Sequence, residues 1–193
     1  MHDAAMPVNV ALGIFAGGQA SRCGGRDKGW IEVDGEAQIR RVLRAAGGGF
    51  ARVLVSANRN LEAYGALGVE VVVDRCPGFQ GPLAGLASLC SVLRGDFLLT
   101  VPVDALHLPV DFAARMLAGV SQGGAAQAVV AQDEDGLQPL FAAYPATLAV
   151  GAIDAFARGE RSVWRWQETL PAHVCRFEGW RFGNLNSPAD IPA

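Results

Sequence analysis

The sequence predicts a single α/β domain organised around one mainly parallel sheet. Three observations carry that expectation. The chain has 193 residues, enough for one substantial core and short for two. Short apolar runs take turns with segments of helical spacing through the first half. Those apolar runs stop at glycine or aspartate, as buried strands do when they leave a core. Strand–helix–strand alternation with right-handed crossovers gives a parallel sheet. Ligands of such sheets collect at the carboxyl ends of the strands, so working residues are sought just after them.

Residues 8–15 form an apolar run closed by glycines and read as the first strand. Residues 30–33 are short and apolar and meet the turn Asp34-Gly35. Residues 36–46 have helical spacing through Ile39, Val42, Leu43 and Ala46, with Gly47 as C-cap. A strand over 53–57, a short helix over 61–66 and a strand over 69–74 follow. Pro82 opens a helix over 82–93, since proline suits the first helical turn. Residues 97–103 are a buried strand ending at Asp104, and 109–118 are helical. Residues 126–132 and 137–144 flank the turn Asp133-Glu134-Asp135-Gly136 as a β-hairpin. Helices over 145–157 and 161–170 and a strand over 173–177 complete the order. No repeat, low-complexity tract or linker interrupts it.

Composition excludes several classes. With 51% hydrophobic and 18% charged residues the chain is not of the disordered type. A net charge of −3 offers no basic field for a nucleic acid. The apolar runs fall far short of the ~18 residues that span a membrane. No basic leader precedes Met6-Pro7, so the cytoplasm is the expected location. Cys23, Cys76, Cys90 and Cys175 show no C-x-x-C spacing, which disfavours a zinc or redox site and suits free thiols.

The first strand runs into Phe15-Ala16-Gly17-Gly18-Gln19-Ala20-Ser21-Arg22-Cys23-Gly24-Gly25-Arg26-Asp27-Lys28. A triphosphate needs many donors at once. Glycine backbone can turn successive N–H groups into one concavity with no Cβ in the way. Arg22 and Lys28 add cationic donors for phosphoryl oxygens. The plainer reading is a solvated surface turn, which paired glycines directly after a buried strand disfavour. Neither G-x-x-x-x-G-K-[ST] nor G-x-G-x-x-G is present, which disfavours P-loop and dinucleotide-binding proteins. Asp104, at the end of a fully apolar strand, suits a hard cation such as Mg²⁺. That ion commonly takes one or two carboxylates and fills its octahedron with phosphates and waters. The plainer reading there is an aspartate capping the next turn.

The glycine loop resembles the L-A-G-G-x-[SA]-x-R-M-G-x-D-K loop of the molybdenum cofactor guanylyltransferases, with Phe15 in place of Leu and Cys23 in place of Met. These are nucleotidyltransferases on a Rossmann-like sheet. The resemblance implies a three-layer sandwich of the nucleotide-diphospho-sugar transferase type with a mixed, mostly parallel sheet. It continues through Gly81-Pro82-Leu83-Ala84-Gly85, Pro102-Val103-Asp104 and Asn184-Leu185-Asn186-Ser187-Pro188, in the family's order, covering residues 12–190.

What the resemblance implies is specific. Phe15, Ala16, Gly17, Gly18, Lys28, Asp74 and Asp104 would contact the nucleotide, and Gly81, Pro82 and Leu83 would lie beside the base. Ser56 stands where the family often has asparagine, within Ser56-Ala57-Asn58-Arg59. Arg22, Lys28 and Asp104 would carry catalysis, with Asp104 on Mg²⁺. Gln138, Pro139, Asn184 and Asn186 would face a pterin. Residues 8–108 would then be the nucleotide part and 109–193 the pterin part. The implied reaction moves GMP from GTP onto the phosphate of molybdopterin and releases pyrophosphate. Cofactor-donor proteins and apo-molybdoenzymes are candidate partners. Three other readings stay open: a cytidylyltransferase on the same cofactor, whose loop tends to read L-A-A-G; a sugar-1-phosphate nucleotidyltransferase, for which the chain is short; and a non-catalytic nucleotide or cofactor carrier.

Overall fold

The computed structural model describes residues 9–18, 26–74, 80–122 and 127–185. Its strands are β1 (Val10–Phe15), β2 (Glu32–Val33), β3 (Glu36–Ala37), β4 (Arg52–Ser56), β5 (Glu70–Val72), β6 (Phe97–Pro102), β7 (Ala128–Asp133), β8 (Gly136–Pro145) and β9 (Ala172–Arg176). Its helices are α1 (Gln38–Ala46), α2 (Leu61–Gly65), α3 (Pro82–Ser91), α4 (Phe112–Gln122), α5 (Ala146–Ala149), α6 (Gly151–Ala157) and α7 (Val163–Gln167).

Seven strands form one sheet in the order β5-β4-β1-β6-β8-β7-β9. β1 pairs in parallel with β4 and β6, β4 with β5, and β7 with β9. β8 alone runs against its neighbours, β6 and β7. The mixed, mostly parallel sheet is therefore as expected. After β1 the chain adds β4 and β5 on one side, then crosses to lay β6 on the other. The sheet's switch point thus falls between β1 and β6, and the loops after both strands open there.

Helices cover both faces. Val10, Leu12 and Ile14 point to one core with Ile39 and Val42 of α1, Tyr64 of α2, and Phe112 and Met116 of α4. Ala11, Leu54 and Leu98 point to the other, under α3, α5, α6 and α7. Helix α3 is buried from Leu83 to Cys90 because it lies between the sheet and α6, which is why its sequence lacks a polar stripe. Gly13 lets α3 approach β1: a Cβ there would stand 3.0 Å from Leu89 Cδ1. Phe112, Phe141, Phe177 and Phe182 form an aromatic cluster with centroids 4.3 to 6.0 Å apart. Each ring stabilises the fold by roughly 1.5–3 kcal/mol through burial. The cluster ties the chain after β9 to α4 and β8.

Two elements differ from expectation. The short apolar run over 30–33 is divided between two elements. Residues Lys28–Trp30 make a 3-10 turn, and β2 pairs with β3 in a small hairpin through Asp34 and Gly35, both at positive φ. The helix expected over 145–157 is broken into α5 and α6 at Val150, where Gly151 lowers helix propensity.

Candidate functional site

The expected nucleotide residues converge on the carboxyl ends of β1, β4, β5 and β6. Phe15 ends β1, and its carbonyl accepts from the Val103 N–H at 3.0 Å. The Ala16 N–H donates to the Ser56 carbonyl at 2.8 Å, which binds the root of the glycine loop to β4. Gly17 leans on that strand end, and a Cβ there would stand 3.3 Å from Asn58 Nδ2. Gly18 is exposed, with open space where a Cβ would be. Arg22 and Asn186 lie outside the described residues.

Lys28 and Asp104 meet across the switch point. Lys28 Nζ donates to Asp104 Oδ2 at 2.7 Å, and the side chains are 20% and 21% exposed. Asp104 follows β6, and its carbonyl accepts from the Leu185 N–H at 2.8 Å. Buried Gln38 donates at 2.6 Å to the carbonyl of the next residue, Ala105. The position of Asp104 is thus held from two sides by backbone contacts, with its side chain left to face the site.

Asp74, just past β5, is gripped by Asn58. Its carboxylate accepts from Asn58 Nδ2 at 2.8 Å, while its own N–H donates to Asn58 Oδ1 at 3.0 Å. Ser56 Oγ stands 3.4 Å from the other carboxylate oxygen. Sequence reasoning placed Ser56 in the site and overlooked Asn58 as the residue that orients Asp74. The signal was the asparagine two positions further along the same run.

Gly81 and Pro82 are exposed at the start of α3, close to these strand ends. Gly81 has φ of 87°, and a Cβ there would meet the Arg161 carbonyl at 2.8 Å. Leu83 is different in kind. Its side chain is fully buried, and its N–H donates to the Arg161 carbonyl at 3.2 Å. It therefore anchors the segment from below. Gly85 closes the floor, since a Cβ would lie 3.0 Å from Ser56 Oγ and 3.2 Å from Phe15 Cδ1.

The residues expected at the pterin end fall beyond β6. The β6–β8 register, Thr100 opposite Ala142, carries the earlier part of β8 and Gln138 toward the Asp104 end of the sheet. Gln138 Nε2 donates to Asp133 Oδ1 at 2.9 Å, and the Pro139 carbonyl accepts from Gln167 Nε2 at 2.9 Å. Asn184 is exposed and bridges to Ala105, one residue from Asp104. The Asn184 segment and Asp104 are therefore neighbours, although the chain separates them widely.

Among the described residues no three of His, Cys, Asp and Glu gather as a metal cage. A lone carboxylate at a strand end fits an ion shared with a triphosphate, and does not fit an ion held by protein alone.

The same architecture occurs in a solved structure, molybdopterin-guanine dinucleotide biosynthesis protein A from Archaeoglobus fulgidus. It superposes with a TM-score of 0.72 over 94% of each chain at 18% identity. The two chains share this fold. Residues 12–174 match the model of the MobA-like NTP transferase domain. The chain belongs to that family. Two relatives bear the name molybdenum cofactor guanylyltransferase. The one from Shewanella putrefaciens is 36% identical, covering 94% of each chain, and the one from Ralstonia nicotianae is 35% identical, covering 92% of each.

Proposed function

We propose that this protein transfers GMP from GTP to the phosphate of molybdopterin, forming molybdopterin guanine dinucleotide and pyrophosphate. The observation that carries the reading is the Lys28–Asp104 pair at the switch point, directly beside the glycine loop. Near-full-length similarity to relatives named molybdenum cofactor guanylyltransferase supports the choice of nucleotide and acceptor.

Catalysis here rests on positioning and charge neutralisation. The loop backbone from Phe15 to Gly18 takes the nucleotide, with Ser56 and Asp74 below and Gly81-Pro82-Leu83 across from them. Arg22 and Lys28 balance charge as it builds on the phosphates. Asp104 would hold Mg²⁺, and that ion would supply Lewis-acid polarisation of phosphoryl oxygens. The acceptor phosphate is ionised at neutral pH and needs no strong base. It bonds to the α-phosphorus as the bond to the pyrophosphate oxygen breaks. Gln138, Pro139, Asn184 and Asn186 face the pterin, whose mixed donors and acceptors suit amide groups. On this reading residues 8–108 handle the nucleotide and 109–193 the acceptor.

No helix among the described residues is long and apolar enough to cross a membrane. The cytoplasm, where cofactor-donor proteins and apo-molybdoenzymes would be met, is its expected location.

Thermal shift with GTP, CTP and ATP, each with and without Mg²⁺, tests the reading. A bound nucleotide stabilises the fold by mass action, so GTP with Mg²⁺ is expected to raise the melting temperature most. A larger rise with CTP would replace guanylyl transfer by cytidylyl transfer.

A further inference from the structure

We propose that Tyr64 and Asn60 are positioning residues for Lys28, acting through the buried carboxylate of Asp27. The inference rests on the nucleotide reading of the glycine loop.

Asp27 immediately precedes Lys28, and its side chain is 3% exposed. A carboxylate so buried needs donors, and here two of them, Tyr64 and Asn60, come from outside its own turn. Asp27 Oδ1 accepts from the Tyr64 hydroxyl at 2.8 Å and from the Gly29 N–H at 3.1 Å. Oδ2 accepts from Asn60 Nδ2 at 3.0 Å, with Arg59 Nε at 3.9 Å. Three consecutive residues are thereby registered. Asp27 is pinned to α2 and the turn before it, and Gly29 is pinned to Asp27. Lys28 is held between them as part of the 3-10 turn that Asp27 caps. Gly29 has no room to drift, because a Cβ there would overlap the Tyr64 hydroxyl.

This arrangement answers a specific problem. Lysine is a point charge on a flexible stem, so its reach is set by where its backbone is fixed. Lys28 must span to Asp104 on the far side of the switch point. The same segment also holds the start of the loop, since Arg59 Nη2 donates to the Gly18 carbonyl at 3.0 Å. The β4–α2 connection therefore grips both ends of the glycine loop from behind. The competing account makes Tyr64 a core residue whose hydroxyl happened to find a partner. Its ring does pack on Trp30, with centroids 5.2 Å apart.

A double-mutant cycle separates the two, using calorimetric binding of Mg²⁺-GTP to the full chain. Tyr64→Phe keeps the packing and removes the hydroxyl. Asn60→Gly removes the amide and suits the left-handed backbone at φ of 52°. Lys28→Ala is expected to weaken GTP by at least about tenfold. Tyr64→Phe should weaken it about tenfold, and Asn60→Gly about threefold, in the presence of Lys28. In the Lys28→Ala background neither should change affinity beyond about twofold, because residues acting through one partner are not additive. Any loss of melting temperature should appear in both backgrounds. Equal losses of affinity in both backgrounds, or none in either, overturn the inference alone. Unchanged affinity in Lys28→Ala overturns the nucleotide assignment of the loop and this inference with it.

Discussion

Lys28 Nζ and Asp104 Oδ2 lie 2.7 Å apart although 76 residues separate them along the chain. Each neutralises the other at a position where neither is fully solvated, at 20% and 21% exposure. On the proposed reading an incoming Mg²⁺-triphosphate would bring opposite partners for both: phosphoryl oxygens for the ammonium and the cation for the carboxylate. Asp104→Ala is expected to lower GMP transfer by about 10²–10³-fold. Because the pair is partly exposed, the fold should remain, checked by an unchanged circular dichroism spectrum. Normal turnover of Asp104→Ala with Mg²⁺ would remove the metal role from this residue.

Gly81 tests the geometry of the base-side segment. It combines a φ of 87° with a Cβ site 2.8 Å from a backbone carbonyl, that of Arg161. That oxygen belongs to the main chain just ahead of α7 and cannot swing away like a side chain. Gly81→Ala should cost about 1–3 kcal/mol. In a domain of this size that is a drop of about 2–4 °C in melting temperature per kcal/mol. Gly18→Ala is the matched comparison, since open space surrounds its Cβ site. It should leave the melting temperature nearly unchanged. Equal effects at the two glycines would contradict the packing described at the start of α3.

The strand ends could be read from sequence because the physics there is local. β1, β4 and β6 announce themselves as apolar runs, and Gly17 and Asp104 mark where they leave the core. The pairing of Lys28 with Asp104 could not be read that way. It depends on the order of strands in the sheet, which places β6 beside β1 although four strands intervene along the chain. Tyr64 was hidden for a different reason. In the short helix Leu61–Gly65 it reads as the one core contact, and it is one; only the structure shows its hydroxyl on Asp27. The hairpin β2–β3 was missed because two-residue strands carry almost no periodicity, although Asp34-Gly35 signalled the turn.

Cys90 ties stability to alkaline pH. It sits 5% exposed on α3, and burial pushes its thiol up to about 12 from an ordinary value of 9.0. The unfolded chain releases this proton first, so above pH 9 the folded state binds more protons than the unfolded one. Stability is therefore full below about pH 9 and falls as pH rises toward about 12. Urea unfolding midpoints at about pH 8 and about pH 10 should differ more in the wild-type chain than in Cys90→Ala. Iodoacetamide labelling of the Cys90 peptide at about pH 8 should likewise follow global unfolding, because only the exposed thiolate reacts. Rapid labelling of the native protein at this position would show that the burial is wrong.

Asp133 links stability to the end of the site proposed for the acceptor. It is 6% exposed, and its carboxylate accepts from three donors at 2.9 Å: the Asp135 N–H, Gln138 Nε2 and the Phe182 N–H. The first bond closes the β7–β8 turn, the second aims Gln138, and the third fixes the chain two residues before Asn184. Removing the carboxylate strands the buried Phe182 N–H, whose unpaired burial is costly. Asp133→Ala should destabilise the fold by about 2–4 kcal/mol, read by urea denaturation. Its kinetic effect should be lopsided. Gln138 and the Asn184 segment lose their common brace, whereas the glycine loop, Asp74 and the Lys28–Asp104 pair are held by β1, β4, β5 and β6 and keep theirs. Measured on the folded fraction, KM for molybdopterin should rise by about tenfold, with KM for GTP nearly unchanged. A rise confined to GTP would mean that β8 and the chain after β9 do not face the acceptor, and would move the pterin to another edge of the sheet.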